Sequence, residues 1–212
     1  MKTEDLIRAL AADGATRPMP LQRTLAVALV PGVAIALMFH FTILGLRPHL
    51  LALLDEPRLL FKLCITILLA ALSAVLVSRM ARPGAGVHRI ALLLTIVPVL
   101  LFAANIAELY ALPAALWGQR LIGSNAIHCL ESIPFLAAAP LFAILLALRK
   151  GAPERAALAG AAAGLLAGAI GAAFYATHCP DDSPLFVATW YTLAIAFVTV
   201  IGAIAGARLL RW

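Results

Sequence analysis

Six apolar runs, each of about 20 residues or more, constrain this chain most strongly. The runs cover residues 24–46, 59–78, 89–111, 127–148, 156–176 and 185–207. A helix needs roughly 20 apolar residues to cross the hydrocarbon core of a bilayer. Apolarity is continuous within each run, whereas the strands of a membrane barrel alternate apolar and polar residues. The runs therefore predict an all-α polytopic membrane protein, a bundle of six transmembrane helices with short loops.

Composition excludes the common alternatives to a membrane protein. Of the 212 residues, 64% are hydrophobic and 12% are charged. A soluble domain of this size needs far more charge on its surface, and a disordered chain needs fewer apolar residues. The sequence divides into a cytoplasmic N-terminal segment and linker, residues 1–23, and a six-helix transmembrane domain, residues 24–212. Little chain is left for a second soluble domain.

The distribution of positive charge predicts how the helices are oriented. The net charge is +6, with 16 Lys and Arg. Twelve of these 16 lie in the N-terminal segment, near the loops after the second and fourth runs, and at the C-terminal end. By the positive-inside rule, both termini are cytoplasmic in a bacterial inner membrane, and the loops after the first, third and fifth helices are outside. The excess charge thus indicates topology within the lipid bilayer, and no direct nucleic-acid partner is expected.

Small residues mark the last two helices as a close-packing pair. Glycines recur at three- and four-residue spacing, at Gly160, Gly164, Gly168 and Gly171 in the fifth helix and at Gly202 and Gly206 in the sixth. Such faces let two helix backbones approach closely. We expect packing within one chain first, and a homodimer through these faces as the second interpretation.

The N-terminal segment predicts a short amphipathic helix, because Leu6, Ile7 and Leu10 fall on one face. A helix of about ten residues is marginal alone in water, so this stripe should meet a surface. The acidic residues Glu4 and Asp5 disfavour an anionic lipid leaflet, which leaves a protein groove as the favoured surface. A tail that only sets topology is the alternative. The predicted partner contacts are Asp5, Leu6, Ile7 and Leu10.

A repeated dipeptide, His128-Cys129 and His178-Cys179, is the most specific local signal. The predicted topology puts one copy at the start of the fourth helix and the other just after the fifth, both on the outer side. We expect the two cysteines to lie at the water interface, where free thiols are open to oxidation. A disulfide between them needs Cα atoms about 5.5 Å apart and an oxidising compartment.

A metal site is the second chemistry that these residues suit. Thiolates and imidazoles make a soft site for zinc or a heavier ion, with Asp181, Asp182 or Glu131 as spare oxygen ligands. Adjacent His and Cys point in different directions, so a thiol pair without both His128 and His178 is favoured over a four-ligand cage. Cys64, about one turn inside the second helix, is expected to be a small apolar side chain or an accessory thiol.

The chain resembles the NrsF-like family of six-helix membrane anti-sigma factors. The resemblance rests on the opening residues 2–7, on Cys129 followed by Ile133-Pro134, and above all on residues 178–184 with Phe186 and Trp190-Tyr191. It implies a regulatory protein and not an enzyme. Its cytoplasmic N-terminal segment would sequester an extracytoplasmic-function sigma factor. The family's two outer cysteines, which sense heavy metals or oxidants, correspond to Cys129 and Cys179, whereas Cys64 has no place in the pattern.

Two other functions are weaker interpretations. A membrane thiol oxidoreductase that passes electrons to quinone would need a CxxC motif or two coupled cysteine pairs, and the chain has three cysteines without that spacing. A small metal-ion transporter would need polar groups through the full membrane depth. Here the intramembrane polar residues, among them His40, Asn105 and Glu108, fall in the outer half.

Overall fold

A computed structural model describes residues 3–13, 21–53 and 55–210. Its helices are α1 (Thr3–Asp13), α2 (Leu21–Phe39), α3 (Pro57–Met80), α4 (His88–Leu94), α5 (Ile96–Ala111), α6 (Trp117–Ile122), α7 (Ala126–Leu148), α8 (Ala156–Ala176), α9 (Pro184–Phe186) and α10 (Thr192–Leu209). A π-helical turn at His40–Leu44 extends α2, and another at Val187–Tyr191 joins α9 to α10. The described residues contain no strand, so the all-α prediction is confirmed.

Six stretches are long and apolar enough to cross a membrane. They are Gln22–Leu44, Pro57–Met80, His88–Ala111, Ala114–Leu148, Ala156–Ala176 and Pro184–Leu209. The protein is therefore a multi-pass membrane protein. Five of the six agree with the sequence prediction within two or three residues; the fourth includes the short helix α6 before α7.

Helix α8 is the centre of the bundle and packs against α10, α7 and α3. Its glycines are buried where other backbones touch it: a methyl group added at Gly171 would stand 2.6 Å from the carbonyl oxygen of Ile133 in α7. A methyl group at Gly206 in α10 would stand 2.6 Å from the carbonyl oxygen of Ala156. The expectation of close packing within one chain is confirmed. A homodimer would need a different surface.

The third span is the most peripheral part of the bundle. It is broken at Thr95, between α4 and α5, because Pro98 has no N–H to donate to the carbonyl of Leu94. Phe102, on its outer face, is 68% exposed, as expected of a side chain that faces lipid. Pro31 lies inside α2 without such a break.

The loops gather at two ends of the bundle. The turn end holds the connections after α2, α5 and α8, which are residues 45–53 with 55–56, residues 112–125 and residues 177–183; the first two are each hydrogen-bonded to the third. The tail end holds residues 81–87 and 149–155, where the Gly84 N–H donates to Glu154 Oε1 at 2.7 Å. The start of α2 also lies at the tail end, beside the last turns of α3 and α7. Helix α1 precedes α2 in the chain, and residues 14–20 between them lie outside the described residues.

Candidate functional site

The two predicted thiols, Cys129 and Cys179, lie in one buried cluster at the turn end. Cys129 is in the first turn of α7 and Cys179 is in the turn after α8; neither side chain is exposed, and both are free thiols. The expectation that these thiols are open to water is wrong, because both side chains are fully buried. The 177–183 turn folds over the start of α7, and the rings of Tyr175, Phe186 and Tyr191 pack into the same cluster.

Lys62, in the second turn of α3, holds this turn from within the bundle. Its side chain is fully buried, and Nζ donates to the carbonyl oxygens of Cys179 at 2.7 Å and of Asp181 at 3.4 Å. The same ammonium forms an ion pair with Asp182 Oδ1. A buried ammonium is tolerated only when it is paired and hydrogen-bonded, and these three acceptors, all from one turn, meet that need.

The loop after α2 is tied to the same turn. Arg47 Nη1 lies 2.6 Å from Asp182 Oδ2, and the Arg47 N–H donates to the carbonyl oxygen of Thr177 at 3.1 Å. His178 Nδ1 lies 3.0 Å from the carbonyl oxygen of Gly45, which can only accept, so Nδ1 carries the proton. Asp182 therefore joins two cations, Arg47 from the loop after α2 and Lys62 from α3.

Asp181 caps α7 from a distance. Its Oδ2 accepts hydrogen bonds from the backbone N–H groups of Ser124 at 3.1 Å and Asn125 at 2.9 Å. A carboxylate at a helix N-terminus satisfies N–H groups that have no partner within the helix and also stabilises the helix dipole. The turn that carries Cys179 thus also fixes the start of the helix that carries Cys129.

Glu108 joins the third span to α3 through an ion pair with the partly exposed Arg58, and to the turn through a hydrogen bond from Ser183. Arg58 Nη2 lies 2.9 Å from Glu108 Oε2, and Ser183 Oγ donates to Glu108 Oε1 at 3.2 Å. Glu108 is buried. It faces the bundle interior, as is usual for an ionisable residue within a membrane span.

Burial controls the chemistry of Cys179. It raises the pKa of the Cys179 thiol above its ordinary value, and the nearby charge of Lys62 opposes that effect. Because the thiolate is the nucleophile and the metal ligand, a protonated and covered thiol is protected while the turn stays closed.

The structure does not bring together the other predicted ligands. His128, Glu131 and Cys64 are exposed, and Asp181 and Asp182 are engaged as described above. Within the described ranges, no group of three or more His, Cys, Asp or Glu side chains could hold a metal ion. The residues present therefore do not fit a tetrahedral zinc site. A metal ion bound by the two thiols alone stays a prediction.

Sequence reasoning missed the basic residues of this site. By sequence alone, the simplest interpretation is that Arg47, Arg58 and Lys62 are charges that flank the spans and indicate topology. One signal could have identified Lys62: it lies inside the second apolar run, and an ionisable residue within a membrane span usually faces a partner in the interior.

The N-terminal helix α1 presents apolar side chains on its surface. Leu6 is 44% and Ile7 60% exposed, and Arg8 Nη2 pairs with Asp5 Oδ1 at 3.2 Å along the helix. The side chain of Leu10, the fourth predicted partner contact, lies outside the described residues.

Comparison with known proteins identifies the family. The family model described as NrsF, negative regulator of sigma F, matches residues 10–212. The chain belongs to the NrsF family. It is 36% identical over 215 residues to the anti-sigma-F factor NrsF of Caulobacter vibrioides, and 33% identical over 213 residues to the probable anti-sigma-F factor NrsF of Azospira oryzae. Both alignments cover 100% of each chain. No solved structure is significantly similar. The resemblance to NrsF proteins is thereby confirmed.

Proposed function

We propose that this chain is an inner-membrane anti-sigma factor with both termini in the cytoplasm. Its N-terminal segment, residues 1–23, binds an extracytoplasmic-function sigma factor. A stress-induced change at Cys129 and Cys179, on the periplasmic side, releases that partner. The observation that carries the proposal is the full-length similarity to two proteins named as anti-sigma-F factors.

The exposed apolar residues of α1 support the tail as the partner site. Leu6 and Ile7 stand on the surface of an 11-residue helix that belongs to neither the bundle core nor a membrane span. An amphipathic helix of this kind binds by laying its apolar face into a groove of another protein. The loops at 81–87 and 149–155 are short, so α1 offers a partner a larger apolar surface than either loop does.

The buried thiol pair supports the turn end as the site that receives the stress signal. We propose that both thiols give up their protons and two electrons to an oxidant and close a disulfide. The turn that carries Cys179 is bonded to the loop after α2, to α3 and to the start of α7, so its displacement acts on several helices. Helix α2 with its π-helical turn runs about 36 Å toward α1. Changing the partner from about 99% bound to 99% free requires a difference of about 5.5 kcal/mol between the two arrangements.

Co-purification tests the tail. The full chain is purified in mild detergent with the extracytoplasmic-function sigma factors of its own genome. Leu6→Glu should abolish retention of one of them, because a charge in the apolar stripe is not tolerated in a groove. Arg8→Gln, on the same helix, is the matched control and should retain it. Equal retention by both variants would contradict the proposal.

Mapping of disulfides tests the thiols. After treatment of membranes with diamide, peptide mass spectrometry should find Cys129 linked to Cys179, with Cys64 unlinked. Links only to Cys64 or between chains would contradict the intramolecular switch. A parallel sample with Cd²⁺ separates the two chemistries: protection of both thiols from alkylation without a disulfide would favour a metal ion as the signal.

A further inference from the structure

Lys62 is the only Lys or Arg among the described residues whose side chain is buried. All three of its polar partners belong to the 177–183 turn, and one of them is the backbone carbonyl of Cys179 itself. In a membrane-spanning helix, a buried charged residue is energetically unfavourable and normally marks a functional contact in the interior. Neither the similarity to relatives nor the thiol pair explains why α3 carries it.

We propose that Lys62 is the positioning residue that couples the Cys179 turn to the membrane helices. The ammonium forms a latch: while it is engaged, the turn, the loop after α2 through Asp182 and Arg47, and the start of α7 through Asp181 keep one arrangement. The inference rests on the proposed function, because what the latch controls is the release of the partner.

The geometry favours two arrangements of the turn, one with the Lys62 contacts formed and one with them broken. Of the two hydrogen bonds from Lys62 to backbone carbonyls, the shorter one goes to the residue that carries the thiol, so a shift of the Cys179 backbone breaks that bond. Once the turn moves, Lys62 and Asp182 lose each other inside the bundle, and a buried charge without its partner is strongly disfavoured. Intermediate positions of the turn are therefore poorly populated. A buried ion pair is not required for net stability, because well-packed apolar residues often replace it without loss. Here the ion pair gives the turn a single defined arrangement.

Hydrogen exchange measures the latch without any partner. In Lys62→Met, which keeps the length and removes the charge, amides of residues 177–183 and of the first turn of α7 should exchange at least tenfold faster. The loops 81–87 and 149–155 should be unchanged. Arg58→Met is the matched control, because it removes the neighbouring ion pair one turn earlier on the same helix. It should affect α5 and Ser183 and leave the amide of Cys179 unchanged.

A second variant covers the case in which Lys62→Met does not fold. Asp182→Asn keeps the shape of the side chain, removes its charge, and should accelerate exchange at the same amides. Unchanged exchange in the turn, or a uniform increase through the whole chain, would overturn the latch, because a merely structural role would loosen the bundle everywhere.

Partner retention tests the coupling itself. In a Cys129→Ala/Cys179→Ala background, which cannot respond to oxidant, Lys62→Met should lose at least 90% of the sigma factor that the background protein retains. Arg58→Met in the same background should keep it. Retention by both would overturn the coupling role of Lys62. If the wild-type chain retains no sigma factor, the proposed function fails, and the exchange experiment alone decides whether the latch exists.

Discussion

The two ends of the bundle are built from different interactions. At the turn end, the ammonium of Lys62 and the carboxylate of Glu108 are buried, and the ion pairs that they form join α3 to the 177–183 turn and to α5. At the tail end, the loops after α3 and α7 share one exposed hydrogen bond, from Gly84 to Glu154. A buried ion pair enforces one arrangement, because breaking it leaves a buried charge without a partner. An exposed hydrogen bond is replaced by bonds to water at little cost. The turn end is therefore suited to an all-or-none change, whereas the loops at the tail end can separate at little cost.

The largest expected effect is on the buried ion pair. Lys62→Met should lower the free energy of unfolding in mixed micelles by about 3–5 kcal/mol, because two carbonyl groups lose their donor and Asp182 loses one of its two cationic partners. Equilibrium unfolding in detergent mixtures measures the change. A loss below about 1 kcal/mol would mean that the turn end is no more tightly built than the tail end.

The second effect depends on pH and on Cys179. Burial raises the pKa of this thiol in the folded state, so the folded state holds its proton when the unfolded state has lost it. The stability from this thiol is fully present below its unfolded pKa and is lost as the pH rises toward its folded pKa. We expect wild type to lose up to about 1.4 kcal/mol per pH unit above about pH 8.5, relative to Cys179→Ala. Thermal unfolding from pH 7 to 10 measures the slope. Identical slopes for wild type and Cys179→Ala would contradict the burial of Cys179.

The third effect concerns the remote cap of α7. Asp181→Ala should destabilise the protein by about 1–2 kcal/mol, since two N–H groups at the helix start lose their acceptor. Hydrogen exchange should increase at residues 124–129 and not at the middle of α7. Fraying of the opposite end of α7 would count against this role.

The smallest effect is expected at the tail end. Glu154→Ala removes the exposed bond to Gly84 and should change stability by less than about 1 kcal/mol. Unfolding under the conditions used for Lys62→Met allows a direct comparison. A loss as large as that of Lys62→Met would remove the difference between the two ends.

Sequence predicted the helices well because the signal for each is local. A run of apolar residues is sufficient to define a membrane span, and the glycine spacing predicted the close approach between α8 and α10 for the same reason. The two cysteines were correctly assigned to one end. Their burial was not predictable, because it depends on how the turn folds over α7 and on aromatic rings from α8 and the last span.

Lys62 shows why the rest of the site was missed. Its carbonyl acceptor on Cys179 lies 117 residues away along the chain, and no local pattern links the two positions. A lysine near a helix start also has an ordinary explanation as a topology signal. Only the packing of α3 beside the 177–183 turn distinguishes a buried lysine from a flanking one.

The most direct test of the link between the two ends is retention of the sigma factor before and after oxidation of the intact protein. Wild type treated with diamide should release the partner, whereas Cys179→Ala should retain it under the same treatment. Retention by oxidised wild type, or equal release from Cys179→Ala, would contradict control of the tail by the buried thiols.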